Sequence, residues 1–170
     1  MFLESQQNFW EPPTVNTIKI NFDGAAGVKG YACSAVAGDN KAKFQGYQSR
    51  DLNFTTAVEA EAFGALLGIE LDIRHGWRNV VLEGDALNII NTLKYKHLPF
   101  PWRIQYIISR IRDSVHNFNS IEFRFIKKEA NNVAHSLAAH DVSTHASDVW
   151  LSTPPSCTAP LIESEASSVL

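Results

Sequence analysis

The sequence predicts an α/β fold: a five-stranded mixed sheet of three antiparallel strands followed by two parallel strands, flanked by helices. Two observations predict this architecture. The first half of the chain carries apolar, strand-like segments separated by short glycine-containing turns, which is typical of an antiparallel meander. The second half alternates helical and extended patterns, which is typical of parallel strands joined by helices. With 170 residues, 45% of them hydrophobic, the chain can enclose one core, and a single domain is expected.

The domain is predicted to occupy residues 17–149. Residues 1–16 contain the paired prolines Pro12 and Pro13, which can neither donate to a strand ladder nor continue a helix. They indicate an N-terminal extension or linker. Residues 150–170 are rich in Ser, Thr and Pro and poor in periodic apolar residues, which indicates a flexible C-terminal tail.

The individual elements follow from periodicity. Alternating apolar segments predict the first three strands, Thr17 to Phe22, Gly30 to Ala37 and Lys41 to Gln48. Apolar and small residues recurring every three and four positions predict a helix from about Thr55 to His75, which Gly76 would end as a left-handed cap. The later predictions are a strand Asn79 to Glu83, a helix Ala86 to Tyr95, a break at Pro99 and Pro101, a helix Arg103 to Asn117, a strand Ser120 to Ile126 and a helix from Asn131 onward.

Charge and composition limit the classes of partner. A formal net charge of -3 argues against strong non-specific attraction to a polyanion, so a nucleic-acid partner would need a local patch or bound metals. Cys33 and Cys157 match neither a zinc spacing nor a disulfide framework, which favours a reduced intracellular setting. No stretch approaches the roughly 18 apolar residues of a membrane span, and no basic leader is evident. A soluble monomer is expected.

Three acidic residues are candidate metal ligands. Asp23 ends the first predicted strand, Glu61 lies at the margin of the apolar face of the long helix, and Asp85 follows the next strand. If the two strands are parallel neighbours, their carboxyl ends bring Asp23 and Asp85 together. Three convergent carboxylates are hard oxygen ligands that suit Mg²⁺ or Mn²⁺. The sequence therefore predicts a divalent-metal hydrolase site.

Each of these residues also has a local structural alternative. Asp23 precedes Gly24, and Asp commonly forms turns by hydrogen-bonding the following backbone. Glu61 taken alone is better explained as a solvated flank residue, because Glu is seldom buried. Asp85 between a strand and a helix is a favoured N-cap, a role that does not exclude metal binding.

Four segments together resemble the ribonuclease H superfamily: NFDGA (21–25), AEAFGALLG (60–68), VLEGD (81–85) and EANNVAHSLA (129–138). More narrowly, they resemble plant reverse-transcriptase-like domains related to the ribonuclease H of non-LTR retroelements, over about residues 10–149. The resemblance implies cleavage of the RNA strand of an RNA/DNA hybrid by a two-metal site. It also implies that Asp23, Glu61 and Asp85 are the first three acidic ligands.

His135 is where the chain departs from the pattern of active members, which carry Asp at this position of the last motif. A neutral imidazole is a poorer Mg²⁺ ligand than a carboxylate, although it binds Mn²⁺ or Zn²⁺ or orients a water. His135 is therefore either a fourth catalytic residue near the metals or a helix residue with a hydrogen bond at the sheet edge. The expected activity is that of a ribonuclease H. The alternative is a nucleic-acid-binding or interaction module that keeps the fold without turnover.

Expected substrate contacts are few. Lys127 and Lys128 precede the last helix and are suited to phosphates, and Asn131 of the same motif is taken as a further contact. Asn53 and Thr55 lead into the first helix, where they could donate to a backbone phosphate or cap the helix. The Pro-broken loop mixes basic and aromatic residues, which could contact a nucleic-acid backbone and stack on a sugar or base. Inward packing of its aromatic residues Phe100 and Trp102 is the preferred prediction.

Overall fold

Strand β1 is the centre of the sheet, with an antiparallel neighbour on one side and a parallel neighbour on the other. The computed structural model describes residues 8–28, 30–53, 55–144 and 149–150. The strand order is β5-β4-β1-β2-β3-β6. The strands span Ile18–Gly27 (β1), Gly30–Gly38 (β2), Phe44–Leu52 (β3), Asn79–Gly84 (β4), Ser120–Phe125 (β5) and Val149–Trp150 (β6). The predicted arrangement of three antiparallel and two parallel strands is confirmed, and β6 adds a two-residue strand beside β3.

The bounds of β1 and β3 differ most from the prediction, and β3 also ends later, at Leu52 instead of Gln48. Strand β1 does not stop before Asp23 but continues to Gly27, because its hairpin with β2 keeps pairing as far as Gly27 and Gly30. Asp23 therefore lies inside the strand. Strand β3 begins at Phe44 rather than Lys41, because the preceding turn is longer than expected: Asp39 Oδ1 accepts hydrogen bonds from the backbone N–H groups of residues 41 and 43, both at 2.9 Å.

In the described part of the chain, four α-helices connect and cover the strands: Ala57–His75 (α1), Leu87–Lys94 (α2), Gln105–Ser114 (α3) and Asn132–Thr144 (α4). Gly76 ends α1 in the left-handed conformation with φ 72°, which confirms the predicted cap. Capping at the other end is different from the prediction. Thr56, rather than Asn53 or Thr55, is the N-cap of α1, and its side chain accepts a hydrogen bond from the N–H of Glu59.

The two faces of β1 contact different helices. Ile20 and Phe22 point into the large apolar core that α1, α2 and α3 cover. The alternate residues Lys19, Asn21 and Asp23 are buried on the opposite face, which α4 covers. A central strand with both faces covered thus carries a buried row of polar side chains, which need partners because burying an unpaired polar group is unfavourable.

Two glycines let α1 approach β1 closely. A Cβ atom on Gly24 would lie 2.5 Å from the backbone N of Glu61, and one on Gly64 would lie 2.7 Å from the carbonyl O of Asp23. The close approach sets the position of Glu61 relative to the end of the sheet. Periodicity alone does not reveal it, because Gly64 fits equally well into an apolar helical face and Gly24 into a turn after Asp23.

Gly64→Ala is expected to destabilise the protein by about 1–3 kcal/mol, because the added methyl group meets backbone atoms that cannot move independently. Gly68→Ala is the matched control on the same helix. Its nearest neighbours are side-chain carbons, Leu82 Cδ1 at 2.6 Å and Ile20 Cγ2 at 2.9 Å, instead of backbone atoms, so a smaller loss of stability is expected. Chemical denaturation of both variants would show the difference, and a Gly64→Ala protein as stable as Gly68→Ala would contradict the backbone approach.

A buried carboxyl on α1 lacks a partner. Asp72 is fully buried, and neither of its carboxyl oxygens has a hydrogen-bond partner among the described residues. Burial raises the pKa of Asp72 well above its usual range. The folded state therefore keeps a proton on Asp72 at pH values where the unfolded chain has lost it. Stability must then fall as pH rises above the unfolded pKa of about 4.

Asp72→Asn is expected to flatten this pH dependence, since the amide has the same shape and does not titrate. Thermal melting between about pH 4 and pH 8 should show a smaller loss of melting temperature for the variant than for the wild type. Parallel melting profiles for the two proteins would mean that Asp72 is ionised or solvated in the folded state.

The segments at both ends of the domain contact the sheet. Residues 8–17 form no helix or strand, but Trp10 is buried, with 8% of its surface exposed. At the other end, Trp150 and Val149 pair with Tyr47 and Gln48 of β3. The rest of the predicted tail, residues 151–170, lies outside the described residues. No helix that the structure describes is long and apolar enough to cross a membrane.

The prediction for the loop before α3 is half right. Phe100 packs against the core, but Trp102 is 75% exposed. Trp102 lies in a short 3₁₀ turn before α3, where the guanidinium of Arg103 stacks 4.9 Å from its ring centroid. The core at this point is already filled by Ile104 and Ile107, which take the inward positions of the turn and helix.

Candidate metal centre

Three carboxylates meet at one end of the sheet. Asp23 lies in β1, Asp85 directly follows β4, and Glu61 lies on α1. One oxygen atom from each lies within 4.8 Å of those of the other two. The parallel register pairs Phe22 with Gly84, so Asp23 and Asp85 each follow by one residue on neighbouring strands. Asp23 is buried and the other two are half-buried, which leaves the group open on one side.

A single backbone N–H joins two of the carboxylates. The N–H of Gly24 donates to Asp23 Oδ1 at 2.9 Å and to Glu61 Oε2 at 3.1 Å. This contact is possible because α1 packs against β1 at the glycine. Glu61 taken alone was better explained as a solvated flank residue. In the structure it is half-buried and accepts a hydrogen bond from β1.

Burial and mutual repulsion raise the pKa values of two carboxyl groups. Burial, followed by the nearby charge of Asp85, raises the pKa of Asp23 to about 6. Burial, followed by the charges of Asp23 and Asp85, raises the pKa of Glu61 to about 8. Carboxylates this close resist simultaneous ionisation without a cation, because each negative charge disfavours the next. The arrangement is one that a divalent cation would stabilise.

His135 lies beside the cluster. Its Nδ1 atom is 2.8 Å from Asp23 Oδ2, and 45% of its side chain is exposed. The contact opposes the rise in the pKa of Asp23. His135 was predicted either as a residue near the metals or as a helix residue with a hydrogen bond at the sheet edge. In the structure it makes a hydrogen bond, and its partner Asp23 is one of the three clustered carboxylates.

Asn131 occupies a different place from the predicted substrate contact. It is 1% exposed, and its Nδ2 donates to the carbonyl O of Phe22 at 2.8 Å and to Asp85 Oδ1 at 3.2 Å. Its Oδ1 accepts a hydrogen bond from Asn21 Nδ2 at 3.1 Å. Both the oxygen and the nitrogen of the Asn131 amide thus bond to other groups of the protein, and Asn131 holds Asp85 instead of facing a substrate. The N-cap alternative for Asp85 is also wrong, since Ala86 is the N-cap of α2.

The other predicted substrate residues lie outside the cluster. Lys128 and Asn53 are exposed, and Lys127 is half-buried with its Nζ 3.4 Å from Asn8 Oδ1. Thr55 is half-buried, and its Oγ1 is buried without a hydrogen-bond partner among the described residues. The structure thus keeps Lys128 and Asn53 accessible, while the hydroxyl of Thr55 is turned away from solvent.

A buried polar network behind the carboxylates was missed by the sequence reasoning. Asn21 Nδ2 donates to Glu83 Oε1 at 3.1 Å, and Glu83 Oε2 lies 3.3 Å from Lys19 Nζ. Trp10 Nε1 donates to Asn21 Oδ1 at 2.8 Å. One signal could have found it: Lys19, Asn21 and Asp23 alternate with apolar residues on a strand that the topology buries on both faces.

The residues present fit a divalent cation. Three carboxylates supply hard oxygen ligands, and their repulsion is relieved by positive charge. The neighbouring imidazole would also accept a transition ion such as Mn²⁺. An α/β fold of this topology, with clustered carboxylates at the ends of two parallel strands and on a crossing helix, is the arrangement expected from the resemblance to the ribonuclease H superfamily.

Comparison with known proteins supports this class. A family model described as reverse transcriptase-like matches residues 21–141, and the chain belongs to this family. The predicted ribonuclease H superfamily is confirmed by this match and by the fold. The narrower likeness to plant domains stays a prediction. No curated protein sequence matches the chain.

Solved structures share the fold at low sequence identity. Ribonuclease H1 of the halophilic archaeon Halobacterium salinarum superposes with a TM-score of 0.70 at 17% identity, covering 76% of this chain and 99% of its own. The N-terminal ribonuclease H domain of a Mycobacterium tuberculosis protein gives 0.70 at 14%, covering 75% and 94%. Ribonuclease H1 LC11, isolated from compost by a metagenomic approach, was solved in complex with an RNA/DNA hybrid and gives 0.68 at 18%, covering 75% and 98%.

Proposed function

We propose that the protein is a metal-dependent endonuclease of the ribonuclease H type, which cleaves the RNA strand of RNA/DNA hybrids. The observation that carries the proposal is the group of three carboxylates, Asp23, Glu61 and Asp85, within 4.8 Å of one another. The family membership and the fold support it. A reduced intracellular setting and a monomeric state, both expected from the sequence, are part of the proposal.

Asp23, Glu61 and Asp85 would hold Mg²⁺ or Mn²⁺. When bound, a pair of such ions supplies activation of a water nucleophile and stabilisation of the leaving 3′ oxygen. The chain itself fixes the three carboxylates before any ion arrives. The Gly24 N–H holds Asp23 and Glu61, and Asn131 holds Asp85. Such preorganisation matters because misplaced ligands weaken both metal binding and catalysis.

His135 would act beside this group. The carboxylate of Asp23 contacts Nδ1 and thereby orients the imidazole ring. Because the side chain is 45% exposed, the ring is within reach of solvent and of a substrate lying over the carboxylates. We therefore assign His135 a place at the site, as an orienting or ligating group, in the position where active relatives carry a fourth carboxylate.

Contacts to the nucleic-acid backbone are proposed for the accessible polar residues. Lys127 and Lys128 belong to the segment that leads into α4 and thus to Asn131 and His135. Asn53 precedes the helix that carries Glu61, and Thr55 is kept as a weaker proposal because its hydroxyl is buried. Ribonuclease H1 LC11, which has a similar fold, was solved in complex with an RNA/DNA hybrid. This supports the proposal that the substrate is a hybrid. Lysine and amide contacts of this kind position a backbone without reading its sequence.

The test is cleavage of an end-labelled RNA/DNA hybrid by purified protein in Mg²⁺ and separately in Mn²⁺. Single-stranded RNA, duplex RNA and duplex DNA of the same sequence serve as specificity controls. Cleavage restricted to the RNA strand of the hybrid and abolished by EDTA is expected. The absence of cleavage in both metals, with hybrid binding still measurable, would overturn the enzyme proposal.

A second function is favoured by His135. With a histidine in place of the fourth carboxylate, the chain has one fewer negative charge to hold Mg²⁺. A nucleic-acid-binding or interaction module that keeps the fold without turnover would have this feature. Calorimetric titration with the hybrid distinguishes the two: the module would bind the hybrid in EDTA and in Mg²⁺ alike, with no product after prolonged incubation.

A further inference from the structure

A continuous series of hydrogen bonds runs from the N-terminal segment to the candidate metal centre. Trp10 Nε1 donates to Asn21 Oδ1 at 2.8 Å, and Asn21 Nδ2 donates to Asn131 Oδ1 at 3.1 Å. Asn131 Nδ2 then donates to Asp85 Oδ1 at 3.2 Å. Trp10 lies outside residues 21–141, the part of the chain that matches the family model. This series therefore links a residue outside the family match to a carboxylate of the cluster.

The chemistry of the groups gives the series one direction. An indole N–H can only donate, so the oxygen of the Asn21 amide must face Trp10. The nitrogen of Asn21 then faces Glu83 and Asn131, and it donates to both. Asn131 must in turn present its oxygen to Asn21, which leaves its nitrogen for Asp85. Each amide is thus held in the one orientation that lets Asn131 donate to the carboxylate.

Burial makes these contacts effective. Trp10, Asn21 and Asn131 are 8%, 4% and 1% exposed, and hydrogen bonds in a water-poor interior are stronger than exposed ones and harder to replace. The N-terminal segment is also fixed by a second contact, because Lys19 Nζ donates to the carbonyl O of Glu11 at 2.6 Å. Loss of the indole N–H would leave the buried Asn21 oxygen without its donor and remove one of the contacts that orient the two amides. Asn21 Nδ2 would keep its bond to Glu83, and Asn131 Nδ2 its bond to the carbonyl O of Phe22.

We propose that Trp10 is a positioning residue for the metal centre, acting through Asn21 and Asn131 on the orientation of Asp85. The inference rests on the proposed function, since it assigns a role toward the ion that the carboxylates would hold. The segment expected from the sequence to be an extension or linker is, on this proposal, a functional part of the domain.

The test compares Trp10→Phe with Trp77→Phe. Phenylalanine keeps most of the apolar contact of Trp10 but removes the N–H donor. Trp77 is the matched control: it is half-buried and stacks on His75 at 4.1 Å between ring centroids, at the far end of α1. The dissociation constant for Mn²⁺ is measured by calorimetry, and the melting temperature in EDTA reports the effect on folding alone.

Trp10→Phe is expected to weaken Mn²⁺ binding by about threefold to tenfold, less than the roughly 10- to 100-fold typical of groups that contact a metal ligand directly, because it acts through two amides. Trp77→Phe should change the dissociation constant by less than about twofold, which is the outcome expected for a purely structural tryptophan. Unchanged Mn²⁺ affinity in Trp10→Phe, with wild-type binding intact, overturns the inference alone. A wild-type protein that binds no Mn²⁺ overturns the proposed function and this inference with it.

A double-mutant cycle tests the route. Asn131→Ala removes the last donor, so adding Trp10→Phe to it should weaken Mn²⁺ binding no further, because the two changes break one series of contacts. Additive losses of affinity would mean that Trp10 acts by another path. Asn21→Ala breaks the series one step nearer to Asp85 and should lose at least as much affinity as Trp10→Phe. It keeps the test decisive if Trp10→Phe fails to fold.

Discussion

Asp23→Asn is expected to abolish metal-dependent cleavage of the hybrid and, at the same time, to stabilise the metal-free protein. Cleavage should fall at least about 100-fold, because the most buried of the three candidate ligands loses its charge. Stability should rise by about 1–3 kcal/mol, because burial and the charge of Asp85 raise the pKa of Asp23 to about 6 and so oppose its ionisation. A gain in stability joined to a loss of activity marks a residue retained for function.

The sign of the pH dependence follows from the raised pKa values. The unfolded chain loses the protons of Asp23 and Glu61 near pH 4, whereas the folded protein keeps them up to about pH 6 and pH 8. The folded state therefore binds more protons in this window, and its stability falls as pH rises. Asp23→Asn should show a smaller loss of melting temperature between pH 4 and pH 8 in EDTA.

Asp113→Asn is the control for this prediction, since it makes the same chemical change on an exposed residue of α3. It should leave cleavage and the pH profile unchanged. Hybrid cleavage by Asp23→Asn at more than a tenth of the wild-type rate would exclude Asp23 as a metal ligand. A lower melting temperature of this variant in EDTA would show that the carboxylate is stabilised by His135 more than it is opposed by burial.

His135→Asp is expected to shift the metal preference toward Mg²⁺ and to destabilise the metal-free protein. A fourth carboxylate beside Asp23 adds a hard oxygen ligand, which should tighten Mg²⁺ binding by about tenfold. Without a cation, the new charge would repel the other three and lower the melting temperature by several degrees. The measurements are calorimetric titration with Mg²⁺ and Mn²⁺ and thermal melting in EDTA.

His135→Asn is the matched variant, because it removes the imidazole without adding charge. It should lose Mn²⁺ affinity and gain none for Mg²⁺. If His135→Asp instead binds Mg²⁺ no better than the wild type, the side chain at this position does not face the ion. If it loses hybrid cleavage that the wild type performs, the imidazole has a chemical role of its own.

The sequence was sufficient for the five main strands and for the expectation that three carboxylates meet. Alternation located the strands, and an acidic residue just past the paired part of each of two parallel neighbours is a feature that strand order turns into proximity. The position of Glu61 was harder to derive, because a helical wheel gives its angle around α1 but not how close α1 comes to β1. That distance depends on the absence of a Cβ at Gly24 and Gly64, each of which lies against backbone of the other element only in the folded chain.

Local sequence patterns did not predict the environments of three residues, Trp10, Trp102 and Asn131. Trp10 lies just before the paired prolines, outside any predicted strand or helix, so no periodic pattern indicates that it is buried. Trp102 is exposed because isoleucines of the same turn and helix already fill the core. Asn131 was predicted as a substrate contact because it belongs to the same motif as Lys127 and Lys128, whereas in the structure it is buried and donates to the carbonyl O of Phe22 and to Asp85.

The shared donor of Gly24 has a consequence for how this chain tolerates change over time. The N–H that holds Asp23 and Glu61 belongs to the main chain, so no side chain has to supply it. Glycine is nevertheless needed at position 24, because proline would delete the N–H and the Cβ of any other residue would lie 2.5 Å from the backbone N of Glu61. The contact between His135 and Asp23, in contrast, disappears with one side-chain replacement. As long as Gly24 is kept, the pairing of the first two carboxylates should therefore outlast the identity of the residue beside them.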